Sequence, residues 1–299
     1  MDKIVVSAPG KLLLMGEHAV IYDNPCLVGA IDKRLKVTIE KSDSDSWTDE
    51  KFVGTAVRNF RKVYAIASAV RIFVNSDFSS NYGLGSSSAI TVSTTYGLYK
   101  ILLNKEPDKK ELFDFCYKVV LEVQGLSSGF DIAAAIYGGV LYFQTGGKTI
   151  EPLGDSNLPL LTAYSGVKAD TVSMINLVKE KMTTYQKGVE EIFKNIVNLV
   201  EEAKIAVREK DWQRLGTLMN FNQNYLEDLG VSTEKLNDMI MAARKAGAYG
   251  AKLSGAGGGD CMIAIAPNEK RLNIEEAIKN VGGEIIETKL SNDGVRIEP

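Results

Sequence analysis

The segment Gly83-Leu84-Gly85-Ser86-Ser87-Ser88-Ala89-Ile90 restricts this chain more than any other. Its glycines let the backbone turn tightly, its serines supply hydroxyls, and residues 86–103 then run at helical periodicity with few breakers. A loop that opens straight into a helix aims unpaired N–H groups and a partial positive charge outward, which suits an anion. No Gly-Lys-Ser/Thr follows at the spacing of the common P-loop, and the dinucleotide GxGxxG fingerprint does not match. Taken alone, the segment fits an anion-binding loop and a plain Gly-Ser helix cap equally well.

A second cluster, Ser254-Gly255-Ala256-Gly257-Gly258-Gly259-Asp260, has four glycines in five positions. Close approach of backbone to a ligand accounts for it, as does a tight turn. Near the N-terminus, Pro9-Gly10-Lys11-Leu12-Leu13-Leu14-Met15-Gly16-Glu17-His18 sets Lys11 and Glu17 around an apolar strand. A lone lysine there would ordinarily be a solvated edge residue.

Other chemistry is scarce. His18 is the only histidine, so a Ser-His-Asp triad could form only around it, and zinc sites with two or more histidines are excluded. Cys26, Cys116 and Cys261 are odd in number and lack CxxC spacing, which argues against a disulfide framework or a thiolate zinc site and fits a reducing compartment. A net charge of -3 offers no general attraction for nucleic acid or anionic membranes. No apolar run approaches the ~18 residues of a membrane span, and no secretion signal opens the chain, so a cytoplasmic location is expected.

With 299 residues, 45% of them hydrophobic, the chain can bury a large core. Residues 3–8 and 11–15 are expected as strands parted by Pro9-Gly10, with further strands at 35–40, 70–74, 139–143, 160–164 and 261–265. Helices are expected over 86–103, 109–123, 184–207, 212–226, 233–246 and 274–281, and 132–137 forms another apolar segment. The polar stretch 42–50 reads as a solvated loop. The resulting fold class is α+β, with two lobes, 1–155 and 156–299, sharing a cleft.

Taken together, the three motifs, 9–20, 83–90 and 252–261, resemble those of the GHMP kinase family, in the same order and over nearly the whole chain. The resemblance implies an N-terminal lobe like ribosomal protein S5 domain 2, a ferredoxin-like C-terminal lobe, and ATP and substrate between them. It implies that Gly83, Leu84, Gly85, Ser86, Ser87 and Ser88 bind ATP, that Ser87 contacts Mg2+, and that Lys11 and Asp131 are catalytic. Asp131 would accept the acceptor's hydroxyl proton, although an aspartate there could merely cap a helix starting at Ile132. Glu17, His18, Thr171 and Gly257 are substrate-side candidates. Glu17 could equally anchor its loop, His18 could be structural, and Asp170 next to Thr171 could serve as an N-cap. One departure concerns the metal: a glutamate frequent in part of the family is replaced by Val120, leaving Glu122 as a weak second metal candidate, about 200° round the helix.

Gly16-Glu17-His18-Ala19-Val20 and residues 218–232 resemble the branch of the family that acts on mevalonate, a carboxylate-bearing alcohol. Ser128-Gly129-Phe130-Asp131-Ile132-Ala133 and Asp260, where that branch usually has glycine, look more like the branch acting on phosphomevalonate. A phosphorylated acceptor would require extra cations, for which Lys168, Lys252 and Arg58 are the candidates. The balance favours mevalonate, with phosphomevalonate as the alternative and a catalytically silent nucleotide- or metabolite-binding regulator as a further one. The expected partner is thus a small molecule, not nucleic acid or membrane, and a homodimer stays open.

Overall fold

The structure, a computed structural model, describes residues 2–154 and 157–299. The lobe boundary expected at 155–156 lies outside the described residues. In chain order the elements are β1 (Lys3–Met15), β2 (Pro25–Ser42), α1 (Thr55–Tyr64), β3 (Ala69–Ser76), α2 (Ser86–Leu103), α3 (Lys109–Gln124), α4 (Phe130–Tyr137), β4 (Val140–Gln144) and β5 (Thr149–Pro152). They continue with β6 (Leu160–Tyr164), α5 (Thr171–Thr184), α6 (Gln186–Glu209), α7 (Trp212–Leu229), α8 (Glu234–Lys245), β7 (Gly250–Ser254), β8 (Cys261–Ile265), α9 (Arg271–Asn280), β9 (Glu284–Ile286) and β10 (Arg296–Ile297).

Two sheets organise these elements. The first runs β10-β1-β2-β4-β5 with β3 also on β2, and the second is antiparallel in the order β7-β8-β6-β9. The second order, with two helix-containing connections, is that of a ferredoxin-like sheet.

Pro9-Gly10 does not turn the chain. β1 continues through it, and the irregularity appears as a register shift against β2 between Pro9 and Lys11. Gly10 serves packing instead: a side chain there would begin 2.9 Å from the Leu84 carbonyl. That carbonyl accepts the Lys11 backbone N–H at 2.9 Å, so the second motif rests directly on the first. Behind it α2 packs on β1 and β2 and is buried nearly all round, which explains why its sequence carries no clean polar face.

The helix expected at 184–207 is α6, and α5, which the sequence reading leaves unassigned, precedes it with Tyr185 between them. α1, which the sequence reading leaves unassigned, is amphipathic and buries Val57 and Phe60. The last residues also depart from the expected C-terminal lobe. Leu290 bridges Ile31, and β10 pairs with β1 at Val6 and Ser7. Arg34, only 5% exposed, clasps this tail through the Asp293 and Gly294 carbonyls and Ser7.

Candidate active site

The loop that opens α2 is built as its residue types demand. Gly83 and Gly85 both adopt left-handed φ, +70° and +84°, and no side chain caps α2. The amides of Ser86, Ser87 and Ser88 in the first turn therefore point out of the helix without a side-chain acceptor. Leu84 is buried, while Ser86 and Ser87 are half-buried.

Lys11 comes up beneath this loop from β1. Its ammonium donates to the Gly83 carbonyl at 3.1 Å and lies 3.4 Å from Asp131 Oδ1 and 5.3 Å from the Phe130 ring centre. The lysine stem fills the space a side chain on Gly85 would need, 2.9 Å from Cγ. Asp131 sits in the first turn of α4 but caps nothing; Gly129 occupies the cap position, and Asp131 Oδ1 is buried with no hydrogen-bond partner. With Oδ1 buried toward Lys11, the part of the carboxylate that stays exposed is where a proton can be taken.

Glu17 corrects an expectation. It is fully buried and ion-paired with Lys252, also fully buried, while its second oxygen accepts from Asn222 Nδ2 at 3.1 Å. Both oxygens are engaged, so Glu17 anchors the first motif to α7 and β7 and does not face a substrate. Burial pushes the Lys252 ammonium below its ordinary range, opposed by the Glu17 charge. Leu13 and Ser254 add a reciprocal pair of hydrogen bonds at 3.1 and 3.0 Å along the same seam.

His18 donates from Nε2 to the Ala256 carbonyl at 2.8 Å, the direction the carbonyl dictates, which leaves Nδ1 an acceptor. That Nδ1 is buried and unpartnered, and desolvation lowers the imidazole pKa from 6.5 against the raising effect of Ala256. Of the four glycines in the third motif, Gly257 is explained by packing: a side chain would begin 2.2 Å from the Val231 carbonyl. Gly255, at φ +105° with nothing within 4 Å, is the one that opens onto free space. Thr171 is exposed at the start of α5, where Asp170 accepts the Ser173 N–H as an N-cap. α5 reaches the third motif through Met174, 2.7 Å from where a side chain on Gly258 would begin.

Glu122 is not brought to Ser87. It accepts from Asn59 Nδ2 at 2.7 Å, whereas the side chain of α3 at Ser87 is Gln124, whose amide lies 3.4 Å from the hydroxyl. The helix runs regularly to Gln124, so the two-residue step between them turns Glu122 away. Among the described residues no group of three or more His, Cys, Asp or Glu could cage a metal. Mg2+ needs no such cage, since it usually retains waters and takes phosphate oxygens, and the half-buried Ser87 hydroxyl fits that pattern.

Sequence reasoning missed Asn222 and Gln223. Both fall on the buried stripe of α7 with Leu215, Met219 and Leu226, and an amide at such positions was the available signal. Gln223 Oε1 accepts the Leu253 N–H at 3.0 Å, and Asn220 Oδ1 accepts that of Ala251 at 3.1 Å. The outer edge of β7 is thus covered by side-chain amides in place of another strand.

Comparison with known proteins agrees with this fold. Residues 51–139 match the GHMP kinases N terminal domain, and residues 203–284 match GHMP kinases C terminal. A mevalonate kinase from Pyrococcus abyssi is 36% identical, over 99% of this chain and 98% of its own. The crystal structure of the Methanococcus jannaschii mevalonate kinase superposes with a TM-score of 0.83 at 25% identity, covering 96% of this chain and 98% of that one. In fold alone, a Streptococcus pneumoniae phosphomevalonate kinase superposes with a TM-score of 0.85 at 18% identity, over 96% of this chain and 100% of that one. The fold and site thus define a small-molecule kinase with ATP as co-substrate. The chain belongs to the GHMP kinase family.

Proposed function

We propose that this protein transfers the γ-phosphoryl group of ATP to the 5-hydroxyl of mevalonate, in isoprenoid precursor synthesis in the cytoplasm. The observation that carries the choice of acceptor is the state of the three cations that a phosphorylated acceptor could use. Lys252 is buried against Glu17, Lys168 donates to the Ser80 carbonyl at 3.1 Å and lies 3.5 Å from Asp260, and Arg58 pairs with Glu50. A second phosphate would need charge that these groups already give elsewhere. The whole-chain similarity to proteins called mevalonate kinase supports the same reading.

In this reading residues 1–155 carry the nucleotide loop and both catalytic groups, and 156–299 carry the third motif and the Thr171 segment. The amides of Gly83 to Ser88 bind the phosphates. Asp131 takes the hydroxyl proton on the exposed side of its carboxylate, away from the buried Oδ1, and Lys11, fixed by Gly83, orients Asp131 through Oδ1 and stabilises the alkoxide. His18 Nδ1, buried and unpartnered, would have to be uncovered by the bound acceptor to accept from one of its hydroxyls. Ser87 would hold Mg2+, which when bound offsets the negative charge of the β- and γ-phosphates. Little covalent work falls to the protein; its part is alignment and electrostatics.

Coupled assays of ADP release with mevalonate and with 5-phosphomevalonate test the proposal. Turnover with mevalonate is the expected result, and phosphorylation of 5-phosphomevalonate alone would overturn it. Nucleotide binding without ADP release from any small alcohol would instead support the silent-regulator alternative.

A further inference from the structure

Asp260 stands where the resembled mevalonate branch usually has glycine, and its backbone is left-handed, φ +55°, a conformation that glycine adopts freely and few other residues do. A side chain retained at such a position calls for a reason in its contacts. Asp260 makes them in two directions.

Toward the C-terminal sheet, it organises the whole loop between β6 and α5. Its N–H donates to the Val167 carbonyl at 2.8 Å, and its own carbonyl accepts the Ser165 N–H at 2.9 Å. Its carboxylate Oδ1 accepts the Ala169 N–H at 2.9 Å and lies 3.5 Å from Lys168 Nζ. That loop leads directly to Asp170 and Thr171. Toward the phosphate loop, the carboxylate fills the space in front of Gly83: a side chain on Gly83 would begin 2.3 Å from Asp260 Oδ2. Lys168 extends the link by donating to the Ser80 carbonyl, and the neighbouring Cys261 thiol donates to the Tyr82 carbonyl at 3.1 Å.

We propose that Asp260 is a positioning residue that couples the phosphate-binding loop at 80–85 to the acceptor-side loop at 165–171. One carboxylate braces Gly83, which also receives Lys11, and fixes the backbone from which α5 starts. Movement of either loop is therefore felt by the other. The proposal rests on the kinase reading for its meaning, but its test does not depend on which acceptor is used.

The test compares Asp260→Gly and Asp260→Asn with the wild type. Glycine accepts the left-handed backbone without strain, so a loss in that variant does not come from a strained main chain, and Asp260→Gly is read against Asp260→Asn to separate the carboxylate from the freedom glycine adds. Asparagine tolerates the conformation and keeps an oxygen for the Ala169 N–H. Binding of a non-hydrolysable ATP analogue with Mg2+ is measured by calorimetry in the absence of acceptor. Amide hydrogen exchange is followed at 80–85 and at 165–171, and melting temperature is recorded alongside.

The expected result for Asp260→Gly is affinity weakened about ten-fold, as for one lost charge-assisted hydrogen bond, with faster exchange in both segments together. Asp260→Asn should stay within about three-fold of wild type, as the retained acceptor predicts. Analogue affinity within about two-fold of wild type in the glycine variant, or faster exchange in only one segment, would overturn the coupling. So would a lower melting temperature with affinity unchanged, the mark of a purely structural residue. If the wild type itself failed to bind the analogue, the kinase reading would fall, while the exchange comparison would still decide whether Asp260 links the loops.

Discussion

Two of the lysine–carboxylate pairs in this molecule, Lys252–Glu17 and Lys11–Asp131, are made from the same functional groups and left in opposite states. In Lys252–Glu17 both side chains are 0% exposed, and Glu17 has a partner on each oxygen. In Lys11–Asp131 the lysine is 9% exposed and the aspartate 32%, the contact is 3.4 Å, and the facing oxygen has no hydrogen bond. The saturated pair holds the first motif to α7 and β7 and has no acceptor site left for a substrate proton. The unsaturated pair is placed beside the loop that opens α2, with about a third of the aspartate side chain exposed. What separates structure from chemistry here is hydrogen-bond occupancy and access to the cleft, not residue type.

The largest effect should come from breaking the saturated pair. Lys252→Met leaves the Glu17 charge buried with only Asn222 to meet it, and we expect about 3–5 kcal/mol of lost stability in denaturant unfolding. Adding Glu17→Gln should recover part of that loss; a Lys252→Met protein within about 1 kcal/mol of wild type would show that the pair is no anchor. The reverse is expected at the other pair. Asp131→Asn should bind ATP and change stability by less than about 1 kcal/mol, yet lose about 100-fold or more in kcat. A variant keeping more than about a tenth of wild-type kcat would remove Asp131 from the role of base.

The contrast also marks what could be read in the sequence. The local settings of Lys11, Asp131 and Ser86 to Ser88 were legible because each belongs to a local pattern, a loop before a helix or an acid after a glycine turn, and the structure brings them side by side. The extents of α2 and β8 follow from periodicity alone and match the structure. Glu17 and Lys252 were each visible but their meeting was not, since 235 positions separate them and only the folded chain brings them together. The same limit hid the cover that Asn220 and Gln223 give to β7, because an edge strand cannot be recognised before the sheet order is known. Glu122 erred differently: helix geometry already placed it about 200° from the useful face, and the structure keeps it there.

Smaller effects sharpen the comparison at its margins. Gln223→Leu should expose the dependence of the third motif on α7, because the Leu253 N–H would lose its acceptor inside the core. We expect about 1–3 kcal/mol of destabilisation with faster amide exchange at residue 253. Unchanged exchange there would mean that Gln223 contributes packing only.

The smallest effect concerns His18, which touches the third motif from beside the saturated pair. Its pKa is lowered in the folded protein, so between that value and 6.5 the unfolded chain binds the proton more readily. The contribution of His18 to stability is therefore complete above pH 6.5 and is lost as pH falls through 6.5 toward the folded value. His18→Asn removes the titrating group, and because the backbone at φ 60°, ψ -49° is a tight turn for either residue, the comparison is made on the pH slope and not on absolute stability. Denaturant midpoints measured from about pH 7.5 down to about pH 5.5 should fall less steeply in the variant than in the wild type. Equal slopes would mean that the imidazole takes up its proton as easily inside the folded seam as outside it, and that Nδ1 has an acidic partner or water in place of the acceptor hydroxyl assigned to it.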